Sequence, residues 1–197
     1  MYAARSLEAG VEKIRQLTGV EAEFGGRHTG AGTWNALASL GTDQYLEIIA
    51  PDPEQYPGGT MAEELLDVDS PYIRTWAVAV KGFDTIRPAL AQAGYGERVI
   101  DMSRKRPDGV NLAWQILFVS GHEFGLTMPF FIDWLQSPHP AQHAPAGMTL
   151  TSFQVNHPEI DSLEHFFNQI GLPVHCDRGS ASMRARLQTP RGEITLT

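Results

Sequence analysis

In Ser6-Leu7-Glu8-Ala9-Gly10-Val11-Glu12-Lys13-Ile14-Arg15-Gln16-Leu17-Thr18-Gly19, the apolar residues Leu7, Val11, Ile14 and Leu17 recur at helical spacing. Ser6 can cap the start, and Gly19 suits the left-handed exit. Two later stretches repeat this design. Asp84 to Gly94 carries Ile86, Leu90 and Ala93, with Pro88 about one turn in, where a missing N–H costs little. Asp161 to Gly171 places Leu163, Phe166, Phe167 and Ile170 on one face, with Asp161 as the expected cap. Strand-like runs precede the helices: only a stub, Met1 to Ala4, before the first, then Thr75 to Val80 and Thr151 to Val155. Extended segments follow each helix. They are 34–40 and 44–50, joined by Gly41-Thr42-Asp43; then 97–103, 112–119 and 128–135, with a turn at Arg106-Pro107-Asp108-Gly109; then 175–177, 182–188 and 193–196.

The pattern predicts an α+β chain of two βαβββ modules, residues 1–51 and 72–136, linked by 52–71 and together filling 1–147. A shorter βαββ unit over 148–197 is expected to pack on the same domain. A repeat this long is not a solenoid of small units; it reads as paired modules sharing a sheet.

At 197 residues, with 42% hydrophobic and 19% charged residues, the chain can bury a self-sufficient core. A net charge of −8 argues against nucleic-acid binding, which needs a basic surface to displace counterions. No run reaches the roughly 18–20 apolar residues that span a bilayer, and no signal peptide is visible, so a cytoplasmic location is expected. The single cysteine, Cys176, has no partner for an internal disulfide. His175 beside it points to the other strand face, so Cys176 reads as a packing thiol and not a nucleophile.

Glu47 lies on the apolar run Tyr45-Leu46-Glu47-Ile48-Ile49, and alternation groups it with Tyr45 and Ile49. A carboxylate there must face water, a ligand or a partner, because burying it unpaired is costly. It reads either as a metal ligand or general base, or as the partner of a nearby arginine such as Arg27. Asp133, between Ile132 and Trp134, poses the same question, and its module-related position suggests a pocket shared with Glu47. The run Gly25 to Thr33 has four glycines in its first eight residues and reads as a loop lining a ligand, with Arg27 as an anion clamp and His28 as an acid or base. Asn35 is a strand-interior amide that fixes backbone or touches ligand. His122-Glu123 lacks the second histidine of a zinc-protease helix and reads as loop, while His139 and His143 read as surface residues of a Pro-rich linker.

Gly25-Gly26-Arg27-His28, Gly32 to Leu37, Gln44 to Pro51, Pro129 to Trp134 and His139-Pro140 resemble, in that order, the glyoxalase-like domain family of the vicinal-oxygen-chelate superfamily. That resemblance implies a cup-shaped mixed sheet enclosing a small-molecule site, with metal ligands on the first and last strands of each module. Glu47 and Asp133 match the two last-strand positions. Trp76 stands where a histidine is common, and the first strand starts beyond the usual ligand, which leaves open a true start further upstream. Two carboxylates suit a weakly held hard ion, so the expected cofactor is none or a divalent metal: magnesium, manganese, iron, nickel or zinc. The resemblance further implies an enzyme of lyase, isomerase or dioxygenase type acting on a carbonyl-bearing or anionic metabolite. Glu47, His28 and Asp133 are its expected catalytic residues, and Arg27, Thr33, Asn35, Trp76, Phe130 and Trp134 its expected substrate contacts. The alternative is a metal-free, non-catalytic binding protein of the antibiotic-sequestering type. A homodimer is open in either case.

Overall fold

The structure, a computed structural model, describes residues 1–105 and 109–197. The turn expected at Arg106–Gly109 therefore falls mostly outside the described residues.

Module one comprises β1 (Tyr2–Ala3), α1 (Leu7–Thr18), β2 (Glu23–His28), β3 (Thr33–Gly41) and β4 (Gln44–Pro51). The α1 boundaries follow the local chemistry. Ser6 accepts a hydrogen bond from Ala9 N at 3.2 Å, and Gly19, at φ 79°, donates back to Arg15 O. Gly10 lets this helix close on the sheet, since a Cβ there would lie 2.6 Å from Ile48 Cγ2. The linker contains a short helix not anticipated from sequence, α2 (Met61–Leu65), and just past it a strand, β5 (Tyr72–Ile73), joins the sheet of module one and not that of module two. The resulting sheet has the order β2-β3-β4-β1-β5, with β1 parallel to β4.

Module two comprises β6 (Ala77–Ala79), α3 (Arg87–Ala93), β7 (Gly96–Lys105), β8 (Asn111–Ser120) and β9 (Phe130–Asp133). Its sheet order, β6-β9-β8-β7 with β6 parallel to β9, repeats that of module one. Pro88 sits in the first turn of α3, and Gly94, at φ 72°, ends it.

The C-terminal unit is β10 (Thr149–His157), α4 (Ile160–Gln169), β11 (His175–Arg178), β12 (Ser182–Thr189) and β13 (Gly192–Leu196). Its three strands after the helix match the extended segments read at 175–177, 182–188 and 193–196, so the unit is βαβββ and not the shorter βαββ. Its order, β11-β10-β12-β13, puts the first strand inside the sheet. Asp161 does not cap α4. The helix begins at Ile160, with Glu159 at the cap position and no side-chain cap, and Asp161 instead accepts from Arg178 Nη2 at 2.5 Å.

One apolar cluster runs through all three units, joining Ile14, Ile48 and Ala36 to Leu117, Phe131 and Phe124, and on to Val155, Leu163 and Phe166. The edge strands β2 and β7 approach each other, so the first two sheets curve round a common space. None of the described helices is long and apolar enough to cross a membrane.

Candidate functional site

Between those sheets lies a cavity of about 660 Å³. Alternation along the strands decides what faces it. Thr33, Asn35 and Leu37 of β3 and Tyr45, Glu47 and Ile49 of β4 point in, while Ala36, Ala38, Leu46 and Ile48 go to the core under α1. From module two, β7 contributes Arg98, Ile100, Met102 and Arg104, β8 contributes Trp114, Ile116 and Phe118, and Phe130, Ile132 and Trp134 complete the wall. Tyr45 meets Trp134 edge to face at 6.4 Å, so aromatic rings close the seam between the modules. His139, expected at the surface, is half-buried against both rings, whereas His143 is exposed.

The polar group of the cup belongs to module one. Asn35 Nδ2 donates to Glu47 Oε1 at 2.6 Å and lies 3.2 Å from His28 Nε2. His28 Nδ1 is 2.9 Å from Thr33 Oγ1, and His28 Nε2 stands 3.7 Å from Glu47 Oε1. Both the His28 and Glu47 side chains are only 13% exposed. Burial holds the His28 imidazole below its ordinary pKa, Glu47 opposes that shift and Arg104 reinforces it. His28 is therefore neutral at pH 7. Its Nε2 is free to accept from the amide while Nδ1–H donates to Thr33. Burial also pushes the Tyr45 hydroxyl up, keeping it protonated.

Gly25 to His28, expected as a loop, is strand: β2 pairs with β3, with a bulge between Phe24 and Gly26. The glycines serve close approach. A Cβ on Gly25 would meet Asn35 Oδ1, and would lie 2.9 Å from Arg104 Nη1; on Gly26 it would lie 3.0 Å from the same nitrogen. Gly32 plays a similar part under Thr60 of the linker, at φ 72°.

Three expected site residues are directed elsewhere. Arg27 stacks over Trp34 at 5.1 Å and pairs with Asp52 and Glu54, away from the cup and from Glu47. Trp76 packs against Phe153 and Phe167, and its indole donates to Thr127 O at 2.8 Å inside the core. Asp133 points away from the cup, because Phe130, Ile132 and Trp134 take the inward positions of that stretch. Its carboxylate accepts from Gly82 N and Leu135 N, both at 2.8 Å, and so steadies Leu135, a non-glycine residue at φ 51°. Glu47 and Asp133 thus form no shared pocket. Sequence reasoning missed Arg98, Arg104, His122, Thr60 and Arg74, all of which line the cavity. The alternation Arg98, Ile100, Met102, Arg104 against Glu97, Val99, Asp101, Ser103 was the signal that could have found the two β7 arginines.

These residues do not fit a catalytic divalent ion. Such an ion takes about three protein donors, and no group of three His, Cys, Asp or Glu side chains with suitable geometry occurs among the described residues. In the cup itself, His28 and Glu47 are already tied to one amide nitrogen.

Paired βαβββ modules that enclose a cup between them define the vicinal-oxygen-chelate class of folds. Within it, the chain belongs to the glyoxalase-like domain family, whose model matches residues 1–171. Among solved structures, a hypothetical protein from Staphylococcus aureus is similar with a TM-score of 0.63 at 13% identity, covering 89% of this chain and 75% of that one. A methylmalonyl-CoA epimerase from Mycobacterium tuberculosis gives a TM-score of 0.49 at 18% identity, over 68% of this chain and 84% of that one. No curated protein matches the sequence.

Proposed function

We propose that the chain is an isomerase-type enzyme that moves a proton at a carbon beside a carbonyl, in a small and mostly apolar molecule held in the cup. The observation that carries this reading is Glu47, a carboxylate on an apolar strand inside the cavity, with Oε1 held by Asn35. That leaves Oε2 to a substrate. In the step, for an α-hydroxyketone, Oε2 takes the proton from the hydroxyl-bearing carbon, and the C–H electron pair moves onto the carbonyl oxygen as an enediolate. Glu47 delivers the proton to the former carbonyl carbon while the hydroxyl proton passes to the former carbonyl oxygen, so that the carbonyl moves to the neighbouring carbon. Atoms and electrons balance without a co-reactant. The Asn35 amide keeps the base aimed, and the positive field of Arg98 and Arg104 on the facing wall favours a developing enolate or an anionic substrate. The aromatic and aliphatic walls suit an apolar body.

Those same walls favour a second reading, sequestration of an apolar ligand without turnover. The two separate in deuterium oxide. A panel of α-hydroxyketones and 2-substituted 3-oxoacids is incubated with wild type and with Glu47→Gln, and exchange at the carbon beside the carbonyl is followed by NMR. Exchange that needs Glu47, with ligand affinity kept in the variant, supports the enzyme. Saturable binding without exchange leaves sequestration. Neither binding nor exchange removes the cup as a site.

A further inference from the structure

We infer that the Asn35 amide stands where a cation shared by Glu47 and His28 would sit, so that the native cup takes no divalent ion and Asn35→Asp converts it into a metal site. This shares Glu47 and Asn35 with the proposed function, but concerns what lies between Glu47 and His28 and not what reacts with Oε2.

Glu47 Oε1 and His28 Nε2 are 3.7 Å apart, a separation that a metal bound at roughly 2.0–2.2 Å to each donor can bridge. Both lone pairs converge on Asn35 Nδ2, which lies 2.6 Å from one and 3.2 Å from the other. An amide NH₂ has two hydrogens and no lone pair to give a metal, so it satisfies both acceptors and blocks the point between them. Its orientation is fixed, because turning the amide over would put Oδ1 against the Glu47 oxygen at hydrogen-bond distance. Its place is fixed too: Asn35 is 4% exposed, pairs with Ile49 across the sheet, and is backed by Gly25. Arg104, whose field reaches His28, adds a positive charge to the same cup. Asn35 is thus a positioning residue that does with two N–H groups what a metal would do with its charge.

Aspartate has the shape of asparagine but offers two acceptors. At position 35 it would leave two carboxylates and an imidazole around one point, a set suited to manganese, nickel or zinc. The experiment is a calorimetric titration of chelator-treated full-length protein with MnCl₂, NiCl₂ and ZnCl₂, with circular dichroism to check folding. Wild type is expected to show no saturable uptake below about 1 mM, the weak end of protein divalent sites. Asn35→Asp is expected to take one equivalent with affinity raised about 10–100-fold or more, and to lose it in the Asn35→Asp/Glu47→Ala double variant. One equivalent bound by wild type and lost in Glu47→Ala overturns the inference. So does a folded Asn35→Asp that binds no better than wild type. If Asn35→Asp does not fold, Asn35→Ala replaces it: freeing both donors must raise affinity about tenfold or more, and no rise overturns the inference. Exchange chemistry in wild type that proceeds only with added metal would overturn it while leaving the proton-transfer reading intact.

Discussion

Module one presents Thr33, Asn35 and Glu47 to the cup, with His28 beside them; module two presents Trp114, Ile116, Phe118, Phe130, Ile132 and Trp134 from strands of the same order. Both walls are built by the same alternation. The outward positions of module one go to the core under α1, whereas in module two Leu117 and Phe131 reach the core and Glu97, Val99, Asp101 and Ser103 of β7 face solvent. The difference lies in which side chains were placed on the inward parity. One wall holds a hydrogen-bonded acid and base; the other holds rings and aliphatic chains flanked by two arginines. Duplicated architecture therefore does not imply duplicated chemistry, and the two walls are expected to fail differently when altered.

The largest effect is expected at the polar wall. Glu47→Gln should lower proton exchange about 10²–10⁴-fold, measured by NMR, while unfolding free energy stays within about 1 kcal/mol because the amide can still accept from Asn35. A stability loss as large as the activity loss would break the division of labour. Behind the apolar wall, Phe131 is fully buried, and Phe131→Ala should cost about 3–5 kcal/mol in urea unfolding. A cost under about 1 kcal/mol would mean that module two is not packed as described. Gly25→Ala comes next. Its Cβ would press on Asn35 and Arg104, with an expected cost of about 1–3 kcal/mol and a lower melting temperature.

A smaller effect is the pH dependence contributed by His28. Its folded pKa lies below the ordinary 6.5, so the unfolded chain takes up the proton first. Stability from this source is present above pH 6.5 and is lost as pH falls through 6.5 toward the folded value. Thermal unfolding from pH 8 to 5 should therefore fall less steeply for His28→Gln than for wild type; an unchanged slope would show that His28 is not buried as a neutral ring. The smallest effect is at Cys176 in β11, outside both walls. Burial pushes its thiol up to about 11, so iodoacetamide should label it more slowly at pH 8 than a free cysteine.

The parts of this comparison visible in sequence were those set by local spacing. Ser6 and Gly19 marked α1, and the period of two put Tyr45, Glu47 and Ile49 on one face, as found. What escaped depended on distant neighbours. Gly25 and Gly26 looked like loop because glycine-rich runs usually are. Their small size instead makes room for Arg104, which arrives from a strand some eighty residues later. Asp133 was paired with Glu47 by module symmetry, yet a shift of one residue sends it to the other face. Trp76 reads from sequence as a pocket wall, yet its indole needs Thr127 O, a partner that only the tertiary fold supplies. Asn35 was singled out as an amide needing partners, but which two acceptors it serves was a matter of sheet register.

His28, Thr33, Asn35 and Glu47 all fall within the single antiparallel meander β2-β3-β4, residues 23–51. The groups of the proposed proton transfer therefore form one contiguous cassette of chain, whereas the apolar wall that faces them is largely encoded elsewhere, in 96–134. Mutational drift in the second stretch can retune what the cup accepts without touching the first. On the proposed reading, a lineage carrying this arrangement can diversify its ligands while inheriting its chemistry intact.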